Sequence, residues 1–269
     1  MNCKNCHTKL PEQSDFCNSC GGKVIRNRLT FRNLFEHISE TFFNYDNKLL
    51  RTFIDMFKQP EVVIGGYIEG VRKRYVNPIS YFGLAITLTG LYLLILNKFF
   101  PESLDFSNFV VEGQEEFQQK NVSFIQEYMS IFMMLYIPIY ALIARISFIG
   151  LNKFNYTELI VVFLYWQSQT SLISAIVIII AAMFGIANGV MSMLFLPLMI
   201  LYAAFILKRL YQLSFAQIAL RTLLFFAVLG IAMVIIIIIV IAIMLITGDM
   251  QEMIEAQRAA LEAAEQAKD

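Results

Sequence analysis

Four cysteines near the start of the chain, in CKNCHTKLPEQSDFCNSC over residues 3–20, are the side chains best suited to chemistry. They form two C-x-x-C pairs, Cys3/Cys6 and Cys17/Cys20, separated by ten residues. One such turn directs two thiolates at a single ion, and a second pair closes a tetrahedral four-sulfur shell. Soft thiolates favour zinc or iron, and zinc is the expected cofactor. Gly21 and Gly22 follow the second pair, where a tight knuckle calls for positive φ. His7, beside Cys6, could substitute as a ligand but reads rather as a solvated neighbour. A module this small cannot build an adequate core, so the metal would supply much of its folding free energy. Two disulfides would use the same residues, but structural disulfides are uncommon in a reducing compartment. A thioredoxin-like centre needs one C-x-x-C in a βαβ pattern, which is missing.

The second cluster is Gln167-Ser168-Gln169-Thr170-Ser171, polar residues in the middle of an apolar run. Polar groups at membrane depth are costly and face a bundle interior or a wet cavity. They could line a substrate or ion pathway, with kinks at Pro138 and Pro197 opening space beside them. They could equally be interhelical glue, worth about 0.6 kcal/mol per hydrogen bond. Neutral side chains of this kind favour the glue. Catalysis has little to work with. The only histidines, His7 and His37, lie outside the apolar runs. There is no H-E-x-x-H, no G-x-S-x-G and no phosphate-cradling glycine loop. No catalytic residue is assigned, and a non-enzymatic protein is expected. Nucleic-acid binding lacks a stacking platform, since Phe16 is the only aromatic residue between the cysteines.

The elements that must position these groups are membrane helices. Hydrophobic residues make up 58% of the 269, and charged ones 16%, against roughly 25% in a soluble domain. Five apolar runs, at about 78–97, 129–151, 159–185, 190–208 and 222–247, are long enough to cross a core of about 30 Å. With the N-terminus inside, the inner segments carry 17 Lys and Arg and the outer ones 4. The excess of positive charge on cytoplasmic loops then assigns N-in and C-out. No signal-peptide core is visible, so the first span is expected to act as the insertion signal. Tyr81 and Tyr92 would form an aromatic belt, and Arg145 would snorkel at an inner end.

Between the cysteines and the first span, three short apolar faces recur at helical spacing. The first is Phe31, Leu34, Phe35, Ile38 and Phe42; the second Leu49, Leu50, Phe53, Ile54 and Phe57; the third Val63, Ile64, Tyr67, Ile68 and Val71. They could lie in the membrane interface or pack under the bundle, since both need the same stripe. Arg72, Lys73, Arg74 and Tyr75 form the expected membrane junction, with the basic residues at anionic headgroups. Residues 112–128 of the outer loop and the tail from Asp249 are expected to be helical.

The order of these features resembles a known group. A C-x-x-C…C-x-x-C-G ribbon is followed by short helices, then Pro60…Tyr67-x-x-Gly70-x-Arg72-x-x-Tyr75-x-x-Pro78, then several spans. This resembles the bacterial multi-pass membrane proteins grouped as a domain of unknown function, with a zinc ribbon ahead of the membrane part. The resemblance covers about residues 3–100 and implies a bacterial inner-membrane location and a metal, but no catalytic residue.

The expected fold is therefore an all-α integral membrane protein. It comprises a zinc ribbon at 1–28, cytosolic amphipathic helices at 29–77, five spans over 78–247 and a polar helical tail at 248–269. The expected role is a scaffold or sensor whose ribbon docks a cytosolic protein, the alternative a transporter or channel component using the third span. The lipid bilayer, that cytosolic protein and a second copy of the chain are the expected partners.

Overall fold

A computed structural model describes residues 1–12, 14–22, 24, 30, 48–104 and 127–247. The face expected over Phe31–Phe42, nearly all of the outer-loop helix and the tail from Asp249 lie outside the described residues. The chain divides into two compact units, Met1–Lys48 and Leu49–Asp269. Among the described residues there are seven α-helices and no strand, the first unit holding only an isolated antiparallel bridge between Asn2 and Lys9.

Two short helices come first, α1 (Lys48–Lys58), which belongs to the second unit from Leu49 on, and α2 (Pro60–Ile68). Pro60 opens α2, where its missing N–H costs nothing. Gly70, at φ +101°, turns the chain after α2, a conformation that strains any residue with a Cβ. Asn77 then caps α3 (Pro78–Phe99), its Oδ1 accepting the Ser80 N–H at 2.8 Å, with Pro78 at the first position. A 3₁₀ turn, Pro101–Leu104, follows α3. The remaining helices are α4 (Met129–Ser147), α5 (Tyr156–Met183), α6 (Asn188–Tyr211) and α7 (Phe215–Thr247).

The helices α3 to α7 are long and apolar enough to cross a membrane. Their ends differ from the apolar runs because caps, not hydropathy, set them. Asn155 and Glu158 form a reciprocal capping box that starts α5 ahead of its apolar run. Ser214 and Gln217 bond in the same way and start α7 at Phe215. Pro138 and Pro197 sit inside continuous helices.

Neighbouring spans alternate in direction. Tyr81 meets Gln169, and Leu96 shares a cluster with Ala182, so α3 and α5 run parallel. The C-terminal ends of α4 and α6 meet the N-terminal ends of α5 and α7 at one end of the bundle. There Arg221 donates to Ser147 O (2.8 Å) and Ile149 O (3.0 Å), and Lys153 donates to Leu210 O (2.7 Å). Arg145 donates to Phe154 O at 2.7 Å, so its local role is a carbonyl partner. Arg221 and Lys153, at the carbonyls that end α4 and α6, complement the negative ends of those helix dipoles.

The central helix is α5, with 61% of its most apolar window buried, whereas that of α7 has 0%. Met56, Val63 and Ile64 of α1 and α2 join Tyr81, Leu159, Tyr165 and Ile206 in one apolar cluster. Helices α1 and α2 thus pack against the bundle's basic end, the second of the two arrangements their stripes allow. The aromatic belt is corrected: Tyr81 and Tyr92 are buried between helices, because each lies on the face of α3 that packs on α5.

Candidate functional site

The two cysteine pairs sit on two copies of one turn. In the first, Cys3 N–H donates to Thr8 O (2.9 Å) and His7 N–H donates to Cys3 O (2.9 Å). In the second, Cys17 N–H donates to Gly22 O (2.8 Å) and Gly21 N–H donates to Cys17 O (2.8 Å). Each turn needs one residue at positive φ immediately after its second cysteine. Gly21 supplies it at +69° and His7 at +61°. His7 is exposed, and its contribution is that backbone conformation. Leu10 is the one buried apolar residue besides Cys3 and Cys17 among the described residues of this unit.

The four Sγ atoms lie within 4.8 Å of one another. Two edges run between the turns: Cys3–Cys20 at 3.7 Å and Cys6–Cys17 at 3.5 Å. A tetrahedral shell with metal–sulfur bonds of about 2.3 Å has edges of about 3.8 Å. All four cysteines are free, and these separations far exceed the roughly 2.05 Å of a disulfide. The sulfurs therefore fit one tetrahedral metal ion.

Electrostatics point the same way. The Thr8 hydroxyl, 3.3 Å from Cys6 Sγ, and the Thr8 N–H hold the Cys6 thiol down to about 6. The Gly22 N–H and the Asn5 side-chain amide, 3.5 Å away, lower Cys20. Backbone N–H groups of Cys20 and Ser19 also favour the Cys17 thiolate. Burial and the neighbouring Cys6 and Cys20 sulfurs outweigh them and push Cys17 up to about 11. Some sulfurs are prepared for negative charge while crowding opposes ionising them all. A bound cation resolves that conflict, since thiolates are the ligating form.

The Gln167–Ser171 cluster is entirely buried, but its members point to different tasks. Gln169 joins three elements. It accepts from the Tyr81 hydroxyl of α3, and its Nε2 donates to Phe53 O of α1 at 3.0 Å. Ser168 and Thr170 return their hydroxyls to α5 itself, at Leu164 O (2.7 Å) and Trp166 O (2.9 Å). Gln167 donates to Ser171 Oγ at 3.2 Å, and both line a cavity of about 390 Å³ between α3, α4, α5 and α6. One polar run thus contains glue, self-satisfied hydroxyls and a cavity wall, separated by the 3.6-residue turn.

The junction residues also part company. Arg72, Lys73 and Arg74 are exposed, with Arg72 over the Tyr67 ring (5.7 Å) and Arg74 over Tyr75 (5.3 Å). Tyr75 is buried and donates to Asp55 Oδ2 of α1 at 2.8 Å; burial, then Asp55, raises its hydroxyl pKa. The next residue, Val76, donates its N–H to Thr52 Oγ1 (3.0 Å) and accepts from the Tyr165 hydroxyl (2.7 Å). Tyr202 of α6 donates to Met56 O at 3.0 Å. Sequence reasoning missed Thr52, Asp55, Tyr165 and Tyr202 as a set. Tyrosines inside an apolar span were the available signal, because a buried hydroxyl needs a partner.

A family described as a protein of unknown function (DUF3667) matches residues 46–90. That stretch holds α1, α2, the Gly70 turn, Tyr75, the Asn77 cap and the first half of α3, the parts joined by the bonds just described. Neither a curated protein nor a solved structure matches the chain.

Proposed function

We propose that the chain is a non-enzymatic multi-pass membrane protein whose N-terminal module holds zinc and docks a cytosolic protein. The four-sulfur shell carries this reading: its turns are spent on ligation, and its exposed Lys4, His7, Phe16 and Cys20 form a surface. The positive-inside rule assigns the basic end of the bundle to the cytosol, so the metal module faces a reducing compartment. Exposed Arg72, Lys73 and Arg74 then lie near anionic headgroups. The resemblance to bacterial families supports an inner membrane, N-terminus inside and C-terminus outside. Within this reading the bundle is scaffold or sensor. The test is crosslinking in cells with the full chain, a chain lacking residues 1–28, and Cys17→Ser. A protein captured by the full chain and lost from both variants supports docking. Capture that is equal in all three contradicts it.

A second reading, transport, draws support from Gln167 and Ser171 lining the cavity. Loss of solute flux in folded Gln167→Leu protein would favour it; unchanged flux would return the cavity to another use.

A further inference from the structure

Thr89 and Asn188, which line the cavity together with Gln167 and Ser171, carry the two buried side-chain polar atoms without a partner among the described residues, Thr89 Oγ1 and Asn188 Oδ1. Thr89 is 3% exposed and Asn188 9%. They lie on different helices, α3 and α6, so no local backbone geometry explains both. A buried polar atom without a partner is costly, and such a pair in one cavity points to a ligand that completes it. Ser174 and Ser192 add hydroxyls to the same wall, and among the described residues no Asp, Glu, Lys, Arg or His lines it.

This first chamber continues into a second. The neighbouring cavity, about 310 Å³, shares Met129, Met133, Gln167, Leu196 and Met199 with the first. It extends toward the basic end of the bundle, and its wall there is aromatic: Tyr140, Phe163, Trp166 and Phe225. Both cavities are mostly apolar, but the hydroxyl and amide groups of Thr89, Ser171, Ser174, Asn188 and Ser192 line only the first, so polarity falls along the length of the space. Water satisfies polar cavities but leaves apolar ones dry. A single occupant suited to both needs a hydrogen-bonding head and an apolar body.

We infer that this paired cavity binds an uncharged, hydroxyl-bearing amphiphile, its head between Thr89 and Asn188 and its apolar part among the aromatic rings. A charged head is disfavoured by cost, since among the described residues no ionised side chain compensates a phosphate, carboxylate or ammonium there. A hydroxyl is favoured over a carbonyl because it can donate to Asn188 Oδ1 and also accept from Thr89. The site is independent of whether the cysteine module docks a partner, and it requires no transport.

The chain carries one tryptophan, and Trp166 is 8% exposed at the aromatic chamber, with its Nε1–H donating to Met199 O at 3.2 Å. It reports occupancy directly. The full-length protein in nanodiscs is titrated with a monoacylglycerol brominated on its chain, and with the same compound carrying methyl ethers in place of its hydroxyls. Saturable quenching of Trp166 by the alcohol, displaced by unbrominated monoacylglycerol but not by the ether, is expected. Thr89→Val and Asn188→Leu should each weaken the alcohol about two- to tenfold, the loss expected for one hydrogen bond, and leave the ether unchanged. Tryptophan emission before ligand is added checks that each variant keeps its fold. If it does not for Asn188→Leu, the nearly isosteric Thr89→Val and the alcohol–ether comparison decide. Linear, unsaturable quenching identical for both compounds would overturn the inference and leave the first chamber to water. Saturable binding equally tight for alcohol and ether would also overturn it, since the head would then contribute nothing.

Discussion

The cysteine module and the centre of the bundle solve the problem of buried polarity in opposite ways. In the module four sulfurs converge on one point, with Leu10 nearly alone as apolar support. In the bundle neutral groups are spread over a large apolar cluster, with Gln169, Tyr81, Tyr165 and Tyr202 each satisfying a bond or two. On the proposed reading one region concentrates its stability in a single ion, whereas the other distributes it. The difference teaches that similar polar residue counts carry different risks: removing one component should abolish the first fold and only weaken the second.

Metal removal is the largest expected effect. Structural zinc contributes on the order of 10–16 kcal/mol in small modules, so a chelator or Cys17→Ser should unfold the first unit. Amide exchange in residues 1–22 should become unprotected while α3 to α7 keep their protection. Coincident loss in both regions would break the comparison.

Gln169→Leu comes next. It strands the Tyr81 hydroxyl and removes the second donor to the Phe53 carbonyl, and should cost about 1–3 kcal/mol. Gln167→Leu, which removes a bond within α5, should cost well under about 1 kcal/mol. Unfolding in mixed detergent compares the two, and equal losses would mean that the polar run acts as one block.

A smaller effect tests the first turn. His7→Gly should retain zinc like the parent, whereas His7→Val, forced to positive φ, should weaken retention by about 1 kcal/mol. Competition with a zinc indicator measures both. Equal loss in both variants would instead make the imidazole a ligand.

Smallest is the Glu61–Arg209 pair joining α2 to α6, with Nε to Oε2 at 2.9 Å. Burial raises the Glu61 carboxyl, but its hydrogen bond and attraction to Arg209 prevail and lower it overall. A depressed carboxyl stabilises the fold above its unfolded value of about 4.3, and that contribution is lost as pH falls through the folded value. Both side chains are substantially exposed, so the pair should be worth under about 1 kcal/mol. Glu61→Gln should lower the melting temperature slightly at neutral pH and converge with the parent in acid. A gap that widens in acid would contradict the assignment.

The spans were legible because about twenty apolar residues have few other uses, and the cysteine shell because C-x-x-C spacing is local. Helix ends were less legible, since Asn155 and Ser214 act outside the apolar runs. The division of labour between Gln167 and Gln169 could not be read from adjacency. Two positions apart on a helix is more than half a turn, and which neighbour each meets depends on packing. Tyr81 at the end of a span looked like a belt residue until α5 covered it. Thr89 and Asn188 were invisible for the same reason: they belong to helices that meet only in the folded bundle.

The central claim is that Cys3, Cys6, Cys17 and Cys20 together hold one zinc ion. X-ray absorption on the purified full-length protein measures it most directly. The account predicts one zinc per chain, surrounded by four sulfurs at about 2.3 Å. Sulfur–sulfur bonds with no metal, or a zinc shell containing imidazole nitrogen, would contradict it.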